Sequence, residues 1–526
     1  MEKTTGIGVI DSRPELVIAL VGAVGVRLDD LSNALKAALA DFHYRAVDIR
    51  LSHLLSNWTC FTKQTGSGEH GRIRHFQQMG DAFRESVGKG DALARAAIAE
   101  IRAKRAEISG SPETPVPARA FILRQLKHPE EVELLRRVYG TSFLLIAGHA
   151  PRDTRKGELM RDMANTESRT GHEREYEPKA SEVMNFDEKE DNELGQNTRD
   201  TYPKADFFIN LGVHGTEAEV QRFIELFFGH PFHTPTPDEY AMYQASAVSL
   251  RSSDKDRQVG AVIADLDNTS HSKRADVIAV GMNEVPKCGG GFYWEGDSPD
   301  CRDQNLDRRG EDRASAFKIA ALTELIEKIA KRKWLLETEE AKGPITLARE
   351  LLPSLKRTQF WDIGEFSRPV HAEMASIIAA ARRGVAIAGH SMFVTTFPCH
   401  NCAKHIIAAG IKKVVYLEPY PKSLASNLYR EEIILEAGDE QGTSKVVFTP
   451  FAGIAPRQYE QLFSMSERGA KKGIPLKDWQ DRKASLSPPY VNQFAARSYL
   501  AAEFLELEAL PPEIYPWKKV TEGVDC

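Results

Sequence analysis

Pro369-Val370-His371-Ala372-Glu373 and Phe397-Pro398-Cys399-His400-Asn401-Cys402 are the two segments whose reading decides the second half of this chain. His371 to Arg383 is rich in Ala and Ile and reads as a helix, Met392 to Thr395 as a strand, and Cys402 to Ala409 as a second helix. Two helix starts can therefore converge on one point. One His and two Cys there match the ligand preferences of zinc: His371, Cys399 and Cys402. Three protein ligands leave the fourth tetrahedral position for water, which distinguishes an open, catalytic zinc from a closed, structural one. Glu373 lies two residues from a ligand, so it can face that water without binding the metal and can shuttle protons. Thiolates at helix N-termini also gain from the helix dipole. A closed four-ligand site would draw on His400 or His405 and would leave Glu373 without a role.

Working outward, Asp238 to Arg251 reads as an amphipathic helix, and Val259 to Ala264 with Val277 to Val280 as paired strands. A charged insertion, 287–363, contains a helical stretch at Ala314 to Lys333. Val414 to Leu417 and Val446 to Thr449 read as further strands. Pro231, Pro235 and Pro237 crowd a segment that marks a boundary, which gives domains of 1–229 and 238–526.

The first half opens with Glu15 to Val21, an apolar run that ends in Gly22-Ala23-Val24-Gly25 and is followed by a helical pattern from Leu28 to Phe42. Residues 72–107 are helical in pattern, Ala120 to Leu123 and Phe143 to Ala147 read as buried strands, and Glu130 to Tyr139 reads as a helix. Residues 152–206 are charged and read as a lid-like helical insert; Phe207 to Asn210 restores a strand and Phe223 to Phe228 a helix. Alternating strands and helices predict an α/β domain with a mostly parallel sheet.

Composition narrows the functional classes. A chain of 526 residues exceeds one ordinary core, and 42% hydrophobic with 27% charged residues is ordinary for a soluble protein. A net charge of −6 lacks the basic surplus of a nucleic-acid binder. Six cysteines (60, 288, 301, 399, 402 and 526) are too sparse for a disulfide framework, and Cys60, Cys288 and Cys301 read as ordinary thiols. The apolar run Leu16 to Val26 is too short to span a bilayer, so the expectation is a cytoplasmic protein with no membrane partner.

The His-x-Glu and Pro-Cys-x-x-Cys pair is the established signature of zinc deaminases. With Arg257-Gln258-Val259-Gly260-Ala261-Val262-Ile263 and Ala279-Val280-Gly281-Met282-Asn283-Glu284-Val285-Pro286, it resembles the cytidine/deoxycytidylate deaminase superfamily over roughly residues 238–465. The resemblance implies that Asn283 holds the substrate sugar, that the Ala372 backbone contacts the pyrimidine, and that Arg257 is a substrate-binding candidate. Three further stretches (His128 to Val132, Ala147 to Arg152 and Arg199 to Asp206) resemble the kinase-like half of bacterial anti-phage dCTP deaminases, and Phe451 to Arg457 resembles their C-terminal part. That likeness implies a P-loop-kinase-like N-terminal α/β domain joined to a cytidine-deaminase-like α/β/α sandwich. It also implies deamination of dCTP, dCMP or both, which depletes a precursor of phage DNA. A homo-oligomer, with a hexamer as one candidate, and an inhibitory small RNA in some members are implied as well.

A working phosphate loop reads G-x-x-x-x-G-K-[S/T]. Gly22-Ala23-Val24-Gly25-Val26-Arg27-Leu28-Asp29 lacks that ending. Gly22, Gly25 and Arg27 remain candidates for an anion cradle at a helix start, although Asp29 and Asp30 would repel phosphate there, and the two glycines read equally well as a plain strand-to-helix turn. The expectation is a degenerate, regulatory kinase fold without phosphoryl transfer. Two other readings stay open for the whole chain: a deaminase that edits single-stranded RNA or DNA, and a nucleotide-sensing protein with structural zinc.

Overall fold

Leu16–Gly22 is buried at every position, as a central parallel strand must be when both faces are covered. In the computed structural model it lies in the middle of a sheet. The structure describes residues 13–56, 58, 66–188, 196–211, 215–255, 257–268, 273–303, 313–340, 342–355, 367–420, 423–435, 444–465, 476–491 and 496–508. Cys60, Cys526 and parts of the 287–363 insertion lie outside them. The chain divides into two compact units, Met1–Tyr243 with Pro450–Cys526, and Gln244–Thr449.

In the first unit, β1 (Leu16–Gly22), β2 (Arg45–Arg50), β3 (Arg119–Arg124), β4 (Phe143–His149) and β5 (Phe207–Asn210) run parallel in the order β5-β4-β1-β3-β2. The helices are α1 (Leu28–Ala40), α2 (Gly68–Val87), α3 (Ala92–Ser109), α4 (Pro129–Tyr139), α5 (Arg152–Thr166), α6 (Glu177–Glu188) and α7 (Thr216–Phe227). The helical pattern over 72–107 falls on two helices, α2 and α3. Gly88, at φ +69, ends the first in the left-handed region, where a side chain is costly. α4 starts with a capping box: the His128 ring accepts from the helix backbone while Glu131 reaches back to the His128 N–H. The sequence reading missed β2, an edge strand that buries little besides Ile49 and so carries no apolar signature.

The sequence reading placed all of 238–526 in one domain; the structure returns the chain to the first unit after Thr449. Gly453–Ile454 adds antiparallel to β5. Beside it, the buried Asp206 carboxylate accepts from Leu145 N–H at 2.7 Å and from Gln458 Nε2 at 3.0 Å. A buried carboxylate needs several such donors, so this segment is bound by necessity rather than by apolar contact alone. The terminal helix, Ala496–Glu508, is tied to α3 through Glu503 and Arg105.

In the second unit the sheet order is β10-β11-β9-β8-β6-β7, formed by β6 (Gly260–Asn268), β7 (Lys273–Met282), β8 (Ser391–Thr396), β9 (Lys413–Glu418), β10 (Ile433–Leu435) and β11 (Val446–Pro450). β6 pairs antiparallel with β7 and β8, whereas β8 with β9 and β10 with β11 are parallel. The helices are α8 (Pro237–Ser249), in which the division between units falls, α9 (Arg313–Lys331), α10 (Pro344–Leu351), α11 (Ala372–Arg382) and α12 (His400–Ala408). Ala372, Ala380, Cys402, Ala403 and Ile406 pack into one core with Ile263, Met392 and Val414. That core fixes the starts of α11 and α12 over the strands. Two helices of the insertion, α9 and α10, share a small core around Leu322, Ile326, Ala348 and Leu352. Among the described residues no helix is long and apolar enough to cross a membrane.

Candidate metal centre and active site

His371 is the residue immediately before α11, with extended backbone (φ −65°, ψ 154°), and Cys399 holds the same place before α12 (φ −68°, ψ 164°). Cys402 lies in the first turn of α12. A residue in this conformation turns its side chain back across the helix start. The His371 Nδ1 atom is 3.3 Å from Cys399 Sγ and 3.4 Å from Cys402 Sγ. All three ligand atoms lie within 4.8 Å of one another. A tetrahedral zinc with ordinary Zn–N and Zn–S bonds spaces such atoms by about 3.6 Å, so the donor set fits the ion in type and in size.

The charges in this cluster are set by short contacts. Hydrogen bonding within the Cys399–Cys402 pair, helped by the His371 ring, pulls the Cys399 thiol down to about 4. The same pairing and burial push the Cys402 thiol well above its usual value. The contact with Cys399 raises the His371 ring to about 9. Glu373, only 4% exposed, sits in the first turn of α11. Burial first, then the negative Cys399, raise its carboxyl to about 7. A carboxyl titrating near neutrality can both take and give a proton at working pH.

What holds these groups is a set of backbone approaches that the motif alone does not reveal. A Cβ on Gly281 of β7 would lie 2.3 Å from Ser376 N and 2.4 Å from Ala372 O. Only glycine lets the helix bearing His371 and Glu373 come this close to the sheet. Gly260 plays the same part for α8, since its Cβ would lie 1.9 Å from Ala245 O. Glu284 and Val370 exchange backbone hydrogen bonds at 3.2 and 2.9 Å, which fixes the residue just before His371. The buried Glu284 carboxylate accepts from Ser253 N–H and Oγ–H at 3.0 and 2.8 Å. On the other side Ser423 Oγ donates to Pro398 O at 2.7 Å, just before Cys399. The sequence reading quoted Gly281 and Glu284 without giving them a role; nothing in the one-dimensional pattern tells a glycine in a strand from a helix seat.

Gly281→Ala is expected to push α11 off the sheet. Overpacking of this kind costs about 1–3 kcal/mol, and a misplacement of about 1 Å at reacting groups costs about 10²-fold in rate. Turnover and zinc retention during chelator challenge should fall together. Wild-type values for both would show that Gly281 does not seat the helix.

The remaining expected site residues are placed as follows. Asn283 is 6% exposed and spends its amide on a loop: Oδ1 accepts from Val259 N–H at 2.8 Å and Nδ2 donates to Arg257 O at 2.7 Å. An amide has a second N–H donor, which is the part left for a ligand. The Arg257 guanidinium lies 3.2 Å from the Glu418 carboxylate and is nearly half exposed. Ala372 is fully buried at the start of α11. Gly22, Gly25 and Arg27 belong to the first unit, apart from this cluster in the chain. Gly25 has φ +86°, and its Cβ would lie 2.8 Å from Arg155 O; the Arg27 guanidinium pairs with Asp30 and Glu158. Cys288 and Cys301 are free thiols.

Known proteins match the segments that carry this cluster. The profile of the cytidine and deoxycytidylate deaminase zinc-binding region matches residues 235–418. Deoxycytidylate deaminase of Enterobacteria phage T2 is 52% identical over 54 residues, 10% of this chain and 29% of that protein. ComE operon protein 2 of Bacillus subtilis is 40% identical over 72 residues, 14% and 36% of the respective chains. The human deoxycytidylate deaminase is 33% identical over 89 residues, 17% and 40%. The matched segments thus span well under half of these relatives. The solved dCMP deaminase from cyanophage S-TIM5 aligns with a TM-score of 0.21 and 17% identity, covering 42% of this chain and all of that one. Its complex with dCMP and dUMP aligns with the same TM-score and 20% identity, over 38% of this chain and 94% of that one. With the metal-ligand cluster in place, residues 235–418 match the zinc-binding region of the cytidine and deoxycytidylate deaminase family.

Proposed function

We propose that this chain hydrolytically deaminates a deoxycytidine nucleotide, dCTP, dCMP or both, to the corresponding deoxyuridine nucleotide. The observation that carries the reading is the buried Glu373 carboxyl, set two residues from His371 in a cluster that also holds Cys399 and Cys402. Zinc bound by His371, Cys399 and Cys402 supplies the Lewis acidity that makes water nucleophilic near neutral pH. Glu373 accepts a proton from the attacking water and delivers protons to the ring nitrogen and then to the leaving amine. The water oxygen forms the new bond to C4, the C4–N bond to the exocyclic amine breaks, and ammonia departs. Ala372 offers its backbone to the pyrimidine, Asn283 its remaining amide N–H to the sugar, and Arg257 a guanidinium to the phosphate end.

Depletion of dCTP would starve an invading phage of a replication precursor; this part rests on the family resemblance. The first unit is proposed as a degenerate kinase-like regulatory domain, supported by its parallel strand order and by a first turn that lacks the lysine and hydroxyl of a phosphate loop. The same resemblance supports a homo-oligomer and an inhibitory RNA. Product analysis tests the central reading. Zinc-loaded protein is incubated with dCTP, dCMP, CTP, deoxycytidine, dATP and a cytosine-containing single strand. Deoxyuridine nucleotides from dCTP or dCMP are expected; conversion of the single strand alone would move the chain to the editing class.

A further inference from the structure

Three consecutive residues just after α8 hold three consecutive residues at the exit of β7. Arg251 donates from Nη1 to Met282 Sδ at 3.1 Å, Ser252 from Oγ to Asn283 O at 2.6 Å, and Ser253 to the Glu284 carboxylate. Two of these grips are small hydroxyls. The third is a whole guanidinium, and it reaches further along the chain. Arg251 Nη2 lies 3.4 Å from Phe292 O and 3.3 Å from Tyr293 O, and the guanidinium carbon stands 3.4 Å over the centre of the Trp294 ring. Among the described residues Arg251 has no ion-pair partner. Burial pulls its guanidinium below the usual value, so the charge is kept there at a cost.

The segment that Arg251 holds is a tight loop, residues 286–297. Pro286 and Phe292 form an antiparallel bridge, and Gly289, Gly290 and Gly291 turn the chain between them in the left-handed region. Lys287 pairs with Asp297, which also accepts from Trp294 N–H at 2.8 Å and so closes the base of the loop. The turn also rests on α11, since a Cβ on Gly290 would lie 3.1 Å from the Arg382 guanidinium carbon. The loop is therefore fixed between the end of α8 and the helix that carries Glu373, directly after Asn283. Its Trp294 is nevertheless 60% exposed. A large aromatic ring left in water, with a cation on one face, has a surface to offer a ligand.

We propose that Arg251 is a positioning residue for the deaminase site: it holds the 286–297 loop, and Trp294 in particular, as a wall of the nucleotide site beyond Asn283. The inference rests on the deaminase reading above. The part of the nucleotide that meets this wall is its sugar–phosphate end, because Asn283 is the candidate for the sugar and the loop follows it in the chain. Arg251 then acts on binding of the nucleotide in ground state and transition state alike, and leaves proton transfer at the ring to Glu373.

Steady-state kinetics with dCMP and dCTP on the zinc-loaded, full-length protein test it. Arg251→Ala is expected to raise KM about tenfold with kcat and zinc content at wild-type values, which is how lost uniform binding shows itself. Trp294→Ala is expected to do the same, and the double variant to be no worse than either single one, because the arginine acts through the ring. Arg251→Lys is expected to stay close to Arg251→Ala, since an ammonium cannot lie flat on an indole while reaching two carbonyls. Dilute, non-denaturing guanidinium chloride is expected to lower the KM of Arg251→Ala, and sodium chloride at the same concentration is not. A wild-type KM in folded Arg251→Ala overturns the proposal and leaves the deaminase reading standing. So does a joint fall of kcat and zinc content, which a merely structural clamp would give, and so do additive effects of the two substitutions. Should Arg251→Ala fail to fold, Trp294→Ala decides, because that ring lies largely in solvent: an unchanged KM overturns the proposal. Wild-type protein that neither converts nor binds dCMP or dCTP removes the deaminase reading itself, and this inference with it.

Discussion

Glu373→Gln is expected to lower the rate constant for deamination by about 10²- to 10⁴-fold, the range of a positioned general acid–base group, while zinc content stays at the wild-type level. Glutamine keeps the shape of the side chain, so the packing around a residue with 4% exposure is preserved. What it cannot do is accept a proton from water and pass it on. Each tenfold loss corresponds to about 1.4 kcal/mol of barrier, so the whole effect equals about 3–6 kcal/mol. His371→Ala should lose activity together with the metal, because it removes one of three ligands. The two variants separate proton transfer from metal binding. A Glu373→Gln protein with wild-type turnover would remove the shuttle role and return the site to a structural reading.

Arg105→Ala is expected to produce the largest loss of stability in the first unit. The Arg105 side chain is fully buried between two carboxylates. Nη2 lies 2.9 Å from Glu15 Oε2 and 2.8 Å from Glu503 Oε1, Nη1 is 2.8 Å from Glu503 Oε2, and Nη1 also donates to Pro112 O at 2.8 Å. Tyr499 and Tyr139 donate their hydroxyls to Glu15 and Glu503 at 2.7 and 2.9 Å. Burial pushes the Glu503 carboxyl up against the pull of Arg105, and the two carboxylates hold the guanidinium charged. Removing the arginine strands two buried carboxylates, a change worth about 3–5 kcal/mol. Arg105→Lys should recover only part of this, since an ammonium cannot grip two carboxylates through a planar fork. The measurements are the urea midpoint and hydrogen exchange along Ala496–Glu508, whose attachment runs through Glu503. Unchanged protection of that helix in Arg105→Ala would show that apolar contacts alone dock it.

The zinc site was legible in the sequence because its information is local. His371 and Glu373 are two residues apart, Cys399 and Cys402 three apart, and each pair opens a helix whose apolar spacing can be read directly. The same holds for β1, β4 and β5, buried runs bounded by turns. β2 escaped because an edge strand buries too little to leave an apolar pattern. The C-terminal boundary escaped for a different reason. The return of the chain after Thr449 is carried by Asp206, Arg105 and Glu15, polar partners hundreds of residues upstream, and no window of sequence holds both ends of such a pair.

By itself, then, the sequence picked out the candidate donor set, the proposed proton carrier beside it and the α/β character of both halves, because ligand type and periodicity are properties of short segments. Only the tertiary structure decided that Gly281 is the seat of the helix bearing Glu373, that Asn283 spends most of its amide on the Arg257–Val259 loop, that residues after 449 complete the first unit, and that Asp187 fills the turn after β1. Each of these is a contact between segments far apart in the chain, set by how closely two backbones approach or by which buried charge must find a partner. Closeness of approach and burial exist only once the chain has folded.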